Sequence, residues 1–381
     1  MSPGTESEPP AAATPPRTPA TSTPPTEQRI RLVVLFGGQS AEHEVSLVTA
    51  RHVLAATDPD RYDLAPVAIA KDGRWIIATD AARALAAGST GLPDALPTSG
   101  SPTEPSGALA AVTDEPVVVF PLLHGPLGED GTVQGLLELA GVPYVGCGVL
   151  ASALAMDKGK AKDMFSARGI PQARHVSLHE NDLDASAIAD LEAALGYPMF
   201  VKPANMGSSV GVTKAHDGDE LRAALDLALR YDDWLVVEET INGREIECAV
   251  LGNLEPRASL PGEIRPGAEF YDYDDKYRSG AAELIIPAEL SPEVTGKLQT
   301  MAIAAYQALG CEGMARVDFF YEENGRGLLV NEINTIPGFT PISMYPKMWE
   351  ASGLSYPDLI DELIRLAVER YDRRASRRRT D

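Results

Sequence analysis

The sequence predicts an α/β protein with an N-terminal parallel sheet and a smaller α+β part in the middle of the chain. Three observations carry this. The runs Ile30 to Phe36 and Pro116 to Pro121 are almost wholly apolar, as strands buried on both faces are. Helical patterns alternate with such runs between residues 29 and about 153, which is how parallel strands joined by crossover helices read. Later, two alternating apolar runs flank Asn324-Gly325, a hairpin signal.

The first strand ends at Gly37-Gly38, and Ser40 stands where a helix N-cap would, with Glu42 and Glu44 in the following turn. Strands follow at Tyr62 to Ile69 and Trp75 to Ala78. Residues 87–115, rich in Gly, Pro, Ser and Thr, read as a surface insertion. A helix is expected near Met156 to Arg168, then a strand Gly196 to Lys202 running into the polar loop Ala204 to Gly211. A helix from Gly218 to Tyr231 leads into a strand, Trp234 to Glu238, and an amphipathic helix closes the chain near Tyr356 to Arg370. Residues 1–28 carry almost nothing large and apolar and are expected to be a disordered tail. The basic residues from Arg370 to Arg379 read as a solvated tail, with residues 373–381 outside the fold.

The bulk numbers narrow the function. A chain of 381 residues is long enough for two or three domains. A net charge of -22 argues against nucleic-acid binding, which needs basic surface. Cys147, Cys248 and Cys311 form no CxxC pair and suggest neither a disulfide framework nor a zinc site. No apolar run reaches the ~18 residues of a membrane span, and no secretory signal opens the chain. A soluble protein in a reducing compartment is expected.

The hairpin carries the most chemistry. Side chains alternate faces along a strand, so Arg316 and Asp318 share a face, as do Glu332 and Asn334. With the turn centred on Gly325, Asp318 lies opposite Glu332. Carboxylates so placed call for a cation, and hard oxygen donors suit Mg²⁺. The alternative is an exposed hairpin with scattered acids. Asn205 to Gly211 offers backbone N–H groups that could cradle phosphate oxygens, or is a plain surface turn. Lys202 precedes it, and Lys158 lies in Met-Asp-Lys-Gly-Lys; only together with the loop and the acids do they become phosphate candidates. His124 follows the strand ending at Pro121, where α/β sheets place ligands, although a lone histidine is more often structural, and the same holds for His43.

Six segments in order resemble the D-alanine–D-alanine ligases of the ATP-grasp superfamily, from about residue 30 to 370. They are Phe36-Gly-Gly-Gln-Ser-Ala-Glu-His-Glu-Val-Ser46, His124-Gly-Pro-Leu-Gly-Glu-Asp-Gly-Thr-Val-Gln-Gly135, Lys202-Pro-Ala-Asn-Met-Gly-Ser-Ser-Val-Gly211, Phe270-Tyr-Asp-Tyr-Asp-Asp-Lys-Tyr277, Arg316-Val-Asp318 and Asn331-Glu-Ile-Asn-Thr-Ile-Pro-Gly-Phe-Thr340. Gly-Pro-Leu-Gly after His124 is less open than the glycine run expected there, and removes no charged role.

The resemblance implies a three-domain ATP-grasp fold: residues 29–153, a central domain 154–242, and a C-terminal domain 243–372 with a mobile active-site loop 265–285. It implies ATP, two Mg²⁺ (or Mn²⁺), D-alanine as substrate, a homodimer and a cytoplasmic location. ATP would activate one D-alanine as an acyl phosphate, which the amine of a second attacks. Lys158, Lys202 and Lys276 would meet the phosphates, with Ser208 closing over them. Glu238, Glu239 and Ile241 would border the adenine, and Glu245 the ribose. Asp318, Glu332 and Asn334 would hold the metals. Glu42 would pair with the first ammonium, with His124 nearby; Arg316 and Gly338 would serve the oxyanion, and Ser343 with Met344 the second carboxylate. Tyr277 would lock the lid through Ser208 and Glu42. The competing expectations are a D-alanine–D-lactate ligase, another ATP-grasp carboxylate–amine ligase, and an ATP-binding regulator without turnover.

Overall fold

The structure, a computed structural model, describes residues 29–86, 94–109, 116–265 and 282–378. The tail 1–28, Lys276 and Tyr277 lie outside these.

The N-terminal part runs β1 (Ile30–Gly37), α1 (His43–Ala56), β2 (Tyr62–Ile69), β3 (Trp75–Ile77), α2 (Thr79–Ala86), β4 (Ser101–Thr103), α3 (Pro105–Leu109), β5 (Val117–Pro121) and α4 (Thr132–Ala140). Its sheet has the order β4-β3-β2-β1-β5. β2, β1 and β5 are parallel, as their two-sided burial requires, while β3 and β4 add antiparallel at the edge. The stretch 87–115 is therefore not all surface: β4 extends the sheet, and Leu96, Ala108 and Leu109 are buried. α1 starts at His43, later than a cap at Ser40 would put it. Glu42 takes the cap position without capping, because its carboxylate is engaged elsewhere, and Ser40 Oγ accepts from the Glu42 N–H at 3.2 Å.

α6 (Lys158–Ala167) is the helix expected near Met156 to Arg168, and a separate helix, α5 (Val149–Met156), precedes it. The break is Asp157, whose carboxylate caps α6 by accepting from Lys160 N at 2.9 Å. The central part then runs β6 (His175–His179), α7 (Ala185–Leu195), β7 (Met199–Pro203), β8 (Thr213–Ala215), α8 (Gly218–Ala228) and β9 (Trp234–Glu239). Its antiparallel sheet, β6-β9-β7-β8, packs against α7 and α8 through Leu191, Leu195, Leu221 and Leu225.

The last part holds β10 (Arg244–Gly252), β11 (Arg257–Ala258), β12 (Gly262–Arg265), β13 (Glu283–Ile285), α9 (Pro292–Ala308), β14 (Gly313–Glu322), β15 (Gly327–Asn334), α10 (Met344–Ala351) and α11 (Tyr356–Arg378). The antiparallel path is β13-β12-β10-β14-β15, with β11 on β10. Alternation sorts its two faces. Ile246, Cys248, Val250, Ala315, Val317, Val330 and Ile333 pack on α9 with Leu298 and Ala302. Ala249, Leu251 and Met314 face Tyr345, Met348 and Trp349 of α10. The polar residues of the second face, Glu245, Glu247, Arg316 and Asp318, therefore line one surface by period-two geometry.

One core crosses from the N-terminal sheet into the C-terminal helices. Phe339, fully buried, meets Phe120 edge-on at 5.7 Å, with Tyr345 and Tyr356 against it. A Phe of this kind contributes ~3–5 kcal/mol. The solvated basic tail expected from Arg370 onward is a correction. α11 continues through it to Arg378. Arg370 is buried, donates to the Gly146 and Tyr144 carbonyls and stacks 4.3 Å over the Tyr144 ring. Arg373 pairs with Glu312, and Arg374 with Glu138 and Glu312 at 2.8 and 2.9 Å. Acids waiting on the body of the protein turn the basic run inward.

Candidate active site

Three carboxylates sit side by side across three strands. Glu247 on β10 pairs with Asp318 on β14, and Asp318 pairs with Glu332 on β15. Arg316 crosses from Asn334 in the same register. Its Nε and Nη2 each donate to Asp318 at 2.7 Å, and Glu247 Oε2 lies 3.1 Å from Nε. Burial works against the guanidinium charge, but Asp318, Glu247 and Glu332 outweigh it and hold the group well above its ordinary value. Glu247 has no place in the sequence reading. The signal was available, since it lies two residues beyond Glu245 on a strand and so on the same face.

The donor set fits a hard divalent cation. Asp318 and Glu332 face each other, Asn334 adds an amide oxygen that accepts from Ile336 N at 3.1 Å, and Arg316 supplies one positive charge to the row. No group of three or more His, Cys, Asp or Glu spaced for a metal occurs among the described residues. Two carboxylates and an amide match Mg²⁺, which completes its shell with water and phosphate.

A second cluster lies at the base of the polar loop. Lys202 Nζ donates to Glu238 Oε2 at 2.9 Å, and Lys162 Nζ lies 3.1 Å from Glu238 Oε1. Burial alone would raise the Glu238 carboxyl; Lys162 and Lys202 override it and bring it down to about 2. Burial pushes Lys162 down, while on Lys202 the pull of Glu238 exceeds the cost of burial. Glu238 thus turns its carboxylate to the two lysines. Lys162 is absent from the sequence reading, although its spacing of four from Lys158 on one helix puts the two on one face. Lys158 Nζ donates to Met206 O at 2.5 Å, tying α6 to the loop. Glu239 turns away, accepting from Arg174 Nε at 2.8 Å and from Arg326 Nη1 at 2.6 Å at the hairpin turn. Ile241 lies in the hinge between β9 and β10, and Glu245 on the acidic face of β10.

The loop reaches the N-terminal part. Ser208 and Ser209 have φ of +51° and +58°, left-handed values uncommon for residues with a Cβ. Ser208 Oγ donates to Glu42 Oε1 at 2.5 Å. Glu42 reaches this point because β1 ends in a turn only glycine permits. Gly37 has φ +91°, and a Cβ there would lie 2.3 Å from the Ile69 carbonyl. Beside it, buried His124 places Nδ1 3.2 Å from Ile336 O and 3.4 Å from Glu129 Oε1. Burial lowers this imidazole, yet Glu129 and Glu42 raise it overall. His124 Nε2, also buried, has no hydrogen-bond partner among the described residues. Glu129, the carboxylate that orients His124, is another residue missing from the sequence reading.

The segment after β15 closes the cleft. Ile336 takes His124, and a Cβ on Gly338 would lie 3.1 Å from Ser343 Oγ. Ser343 Oγ accepts from Thr340 N at 3.1 Å and stands at the N-cap of α10, with buried Met344 the first residue of that helix. Lys276 and Tyr277 lie outside the described residues. β12 and β13, the described strands nearest to them in sequence, pair antiparallel.

Sequence and structure comparisons agree on the lineage. The family described as "D-ala D-ala ligase N-terminus" matches residues 31–147, and "D-ala D-ala ligase C-terminus" matches residues 164–365. The D-alanine–D-alanine ligase of Acetivibrio thermocellus is 47% identical, over 90% of this chain and 96% of its own. That of Clostridium acetobutylicum is 48% identical over 89% and 98%. The solved D-alanine–D-alanine ligase of Coxiella burnetii superposes with a TM-score of 0.76 at 39% identity, covering 92% of this chain and 98% of that one. The VanG D-Ala:D-Ser ligase of Enterococcus faecalis superposes with 0.77 at 39% identity, over 89% and 100%. With its parallel N-terminal sheet, its two antiparallel sheets around a lysine-and-carboxylate cleft and matches along both halves, this chain belongs to the D-alanine–D-alanine ligase family and has the ATP-grasp fold.

Proposed function

We propose that this protein joins two molecules of D-alanine at the expense of ATP, supplying a dipeptide precursor of bacterial cell-wall peptidoglycan. The observation that carries the reading is the Ser208–Glu42 bond, which brings a phosphate-type loop onto the carboxylate that would receive the substrate's ammonium.

Lys158 and Lys202 hold the ATP phosphates as point charges, with Ser208 closing over them and Lys276 joining from the loop. Backbone groups at Glu238, Glu239 and Ile241 border the adenine, and Glu245 accepts from the ribose. Asp318, Glu332 and Asn334 would hold Mg²⁺ or Mn²⁺, which would supply positive charge beside the phosphates. Glu42 takes the ammonium of the first D-alanine, and His124 Nε2 faces it. The carboxylate oxygen of this first D-alanine attacks the γ-phosphorus, ADP departs, and a D-alanyl phosphate results. The amine of the second D-alanine then attacks the acyl carbon. Arg316 uses Nε and Nη2 on Asp318; its remaining N–H donors serve the tetrahedral oxyanion together with the Gly338 N–H. Such a donor is worth ~3 kcal/mol. Ser343 and the Met344 N–H, at the start of a helix, hold the second carboxylate. Tyr277 seals the lid, and phosphate leaves as the peptide bond forms.

No helix is long and apolar enough to cross a membrane among the described residues, in keeping with a cytoplasmic enzyme. Exposed Leu139 and Leu150 on neighbouring helices α4 and α5 support a homodimer. Incubation with ATP, Mg²⁺ and D-alanine, with or without D-serine or D-lactate, tests the function by mass spectrometry. D-alanyl-D-alanine as the main product is expected. A mixed product as the main species would replace the second substrate, and no ADP release on adding D-alanine would overturn the enzyme reading.

A further inference from the structure

We propose that Lys162 is a positioning residue for the ATP phosphates, acting through Glu238 on Lys202. Its place in the fold is unusual for a lysine. It lies one turn beyond Lys158 on α6, is 1% exposed, and reaches Glu238 Oε1 at 3.1 Å. The other oxygen of the same carboxylate holds Lys202 at 2.9 Å. Two ammonium groups from different elements thus share one buried carboxylate, and these three groups by themselves carry one net positive charge. A buried ion pair alone is a poor source of stability, and an apolar side chain of similar volume would fill the face of α6 at less cost. An excess of positive charge, by contrast, is favourable where an anion arrives.

The geometry gives that charge a use. If Glu238 were paired with Lys202 alone, the pair would be neutral and Lys202 would be held back from a phosphate. Lys162 takes half of the carboxylate, so Lys202 stays aligned but can turn its ammonium toward an incoming phosphate oxygen without leaving Glu238 unpaired. Glu332 and Glu245, which also act on Lys202, keep its charge in place from the other side of the cleft. Lys162 touches no ligand in this arrangement.

The inference rests on Lys202 as a phosphate ligand, and the test separates the two. Binding of ADP and of adenosine to the full chain is measured by calorimetry for K162M, K202M, the double variant and K162R. K162M and K202M are each expected to weaken ADP about tenfold and adenosine less than about twofold. K162M should cost nothing further in the K202M background, and K162R should restore most of the ADP affinity. Lys162→Gln, which keeps a donor for Glu238 and removes the charge, is the second variant and is expected to behave as K162M. Unchanged ADP affinity in K162M or K162Q, with K202M impaired, overturns the role of Lys162. So does equal loss of ADP and adenosine, or an additive loss in the double variant. An unimpaired K202M would instead overturn the phosphate reading on which the inference stands.

Discussion

Asp318 and Glu332 face each other across β14 and β15 because the strand pair carries a bulge. From Glu322↔Gly327 to Phe319↔Val330 the register is regular, and it then shifts by one so that Asp318 meets Glu332 rather than Asn331. Bulges commonly re-aim side chains beside active sites. The pairing brings together the two carboxylates proposed to hold Mg²⁺, and Arg316 donates twice to Asp318 at 2.7 Å. Glu332→Gln is expected to raise the Mg²⁺ concentration for half-maximal turnover at least about tenfold, ~1.4 kcal/mol of metal affinity. Direct Mn²⁺ binding followed by electron paramagnetic resonance should weaken in parallel. Unchanged Mn²⁺ affinity would remove Glu332 from the metal site.

The contact between Ser208 and Glu42 joins residues 166 positions apart and bridges two parts of the molecule. Ser208→Ala removes a hydrogen bond to a charged group, typically ~1.5–3 kcal/mol. The expected result is a fall of about ten- to a hundredfold in kcat/KM for D-alanine, with the affinity for ADP much less affected. Steady-state kinetics with each substrate varied separately checks this. A loss confined to ATP would mean that the loop serves the nucleotide and not the amino acid.

Glu238 makes stability depend on pH in a defined window. Its folded carboxyl titrates at about 2, held down by Lys162 and Lys202 against the effect of burial, whereas an unfolded glutamate titrates near ~4.3. A depressed value means the stabilisation is complete above the unfolded value and is lost as pH falls toward the folded one. The shift corresponds to on the order of 3 kcal/mol. In Glu238→Gln the two buried lysines lose their counter-charge at every pH. Urea unfolding should therefore show the variant several kcal/mol less stable at pH 7, with the gap closing between pH 5 and pH 2. A gap constant across that range would mean the carboxylate charge is not what the lysines use.

What the sequence made legible, and what it did not, follows from the range of the interactions. The facing of Asp318 and Glu332 was readable from alternation and a turn signal, both local, although the assumed centre at Gly325 reached the right pairing only because the bulge at Asp318/Phe319 makes up the difference. The strands β1 and β5 and the polar loop were readable for the same reason. Spacing gave the faces of Lys162 and Glu247 but not their partners, which folding brings up from afar: Glu238 is 76 residues from Lys162, and Arg316 is 69 from Glu247. The basic run from Arg370 looked like a tail because its acceptors, Glu138 and Glu312, lie on other elements.

The exposed apolar surface on α4 and α5 leads to a last expectation. Leu139 is 90% exposed, Leu150 69% and Val149 41%, and the two helices pack against each other. Large apolar side chains exposed on neighbouring helices suit an interface, and a second copy of the chain would bury the same residues on both sides of a two-fold axis. A double substitution, Leu139→Glu with Leu150→Glu, changes only solvent-facing positions, so the melting temperature of the monomer fold should hold within a few degrees at fixed protein concentration. Sedimentation should then report a particle of half the mass of the unmodified protein, because carboxylates placed opposite each other across the axis repel. An unmodified chain that already sediments as a monomer, or a double variant that still sediments as a dimer, would move the interface away from these helices.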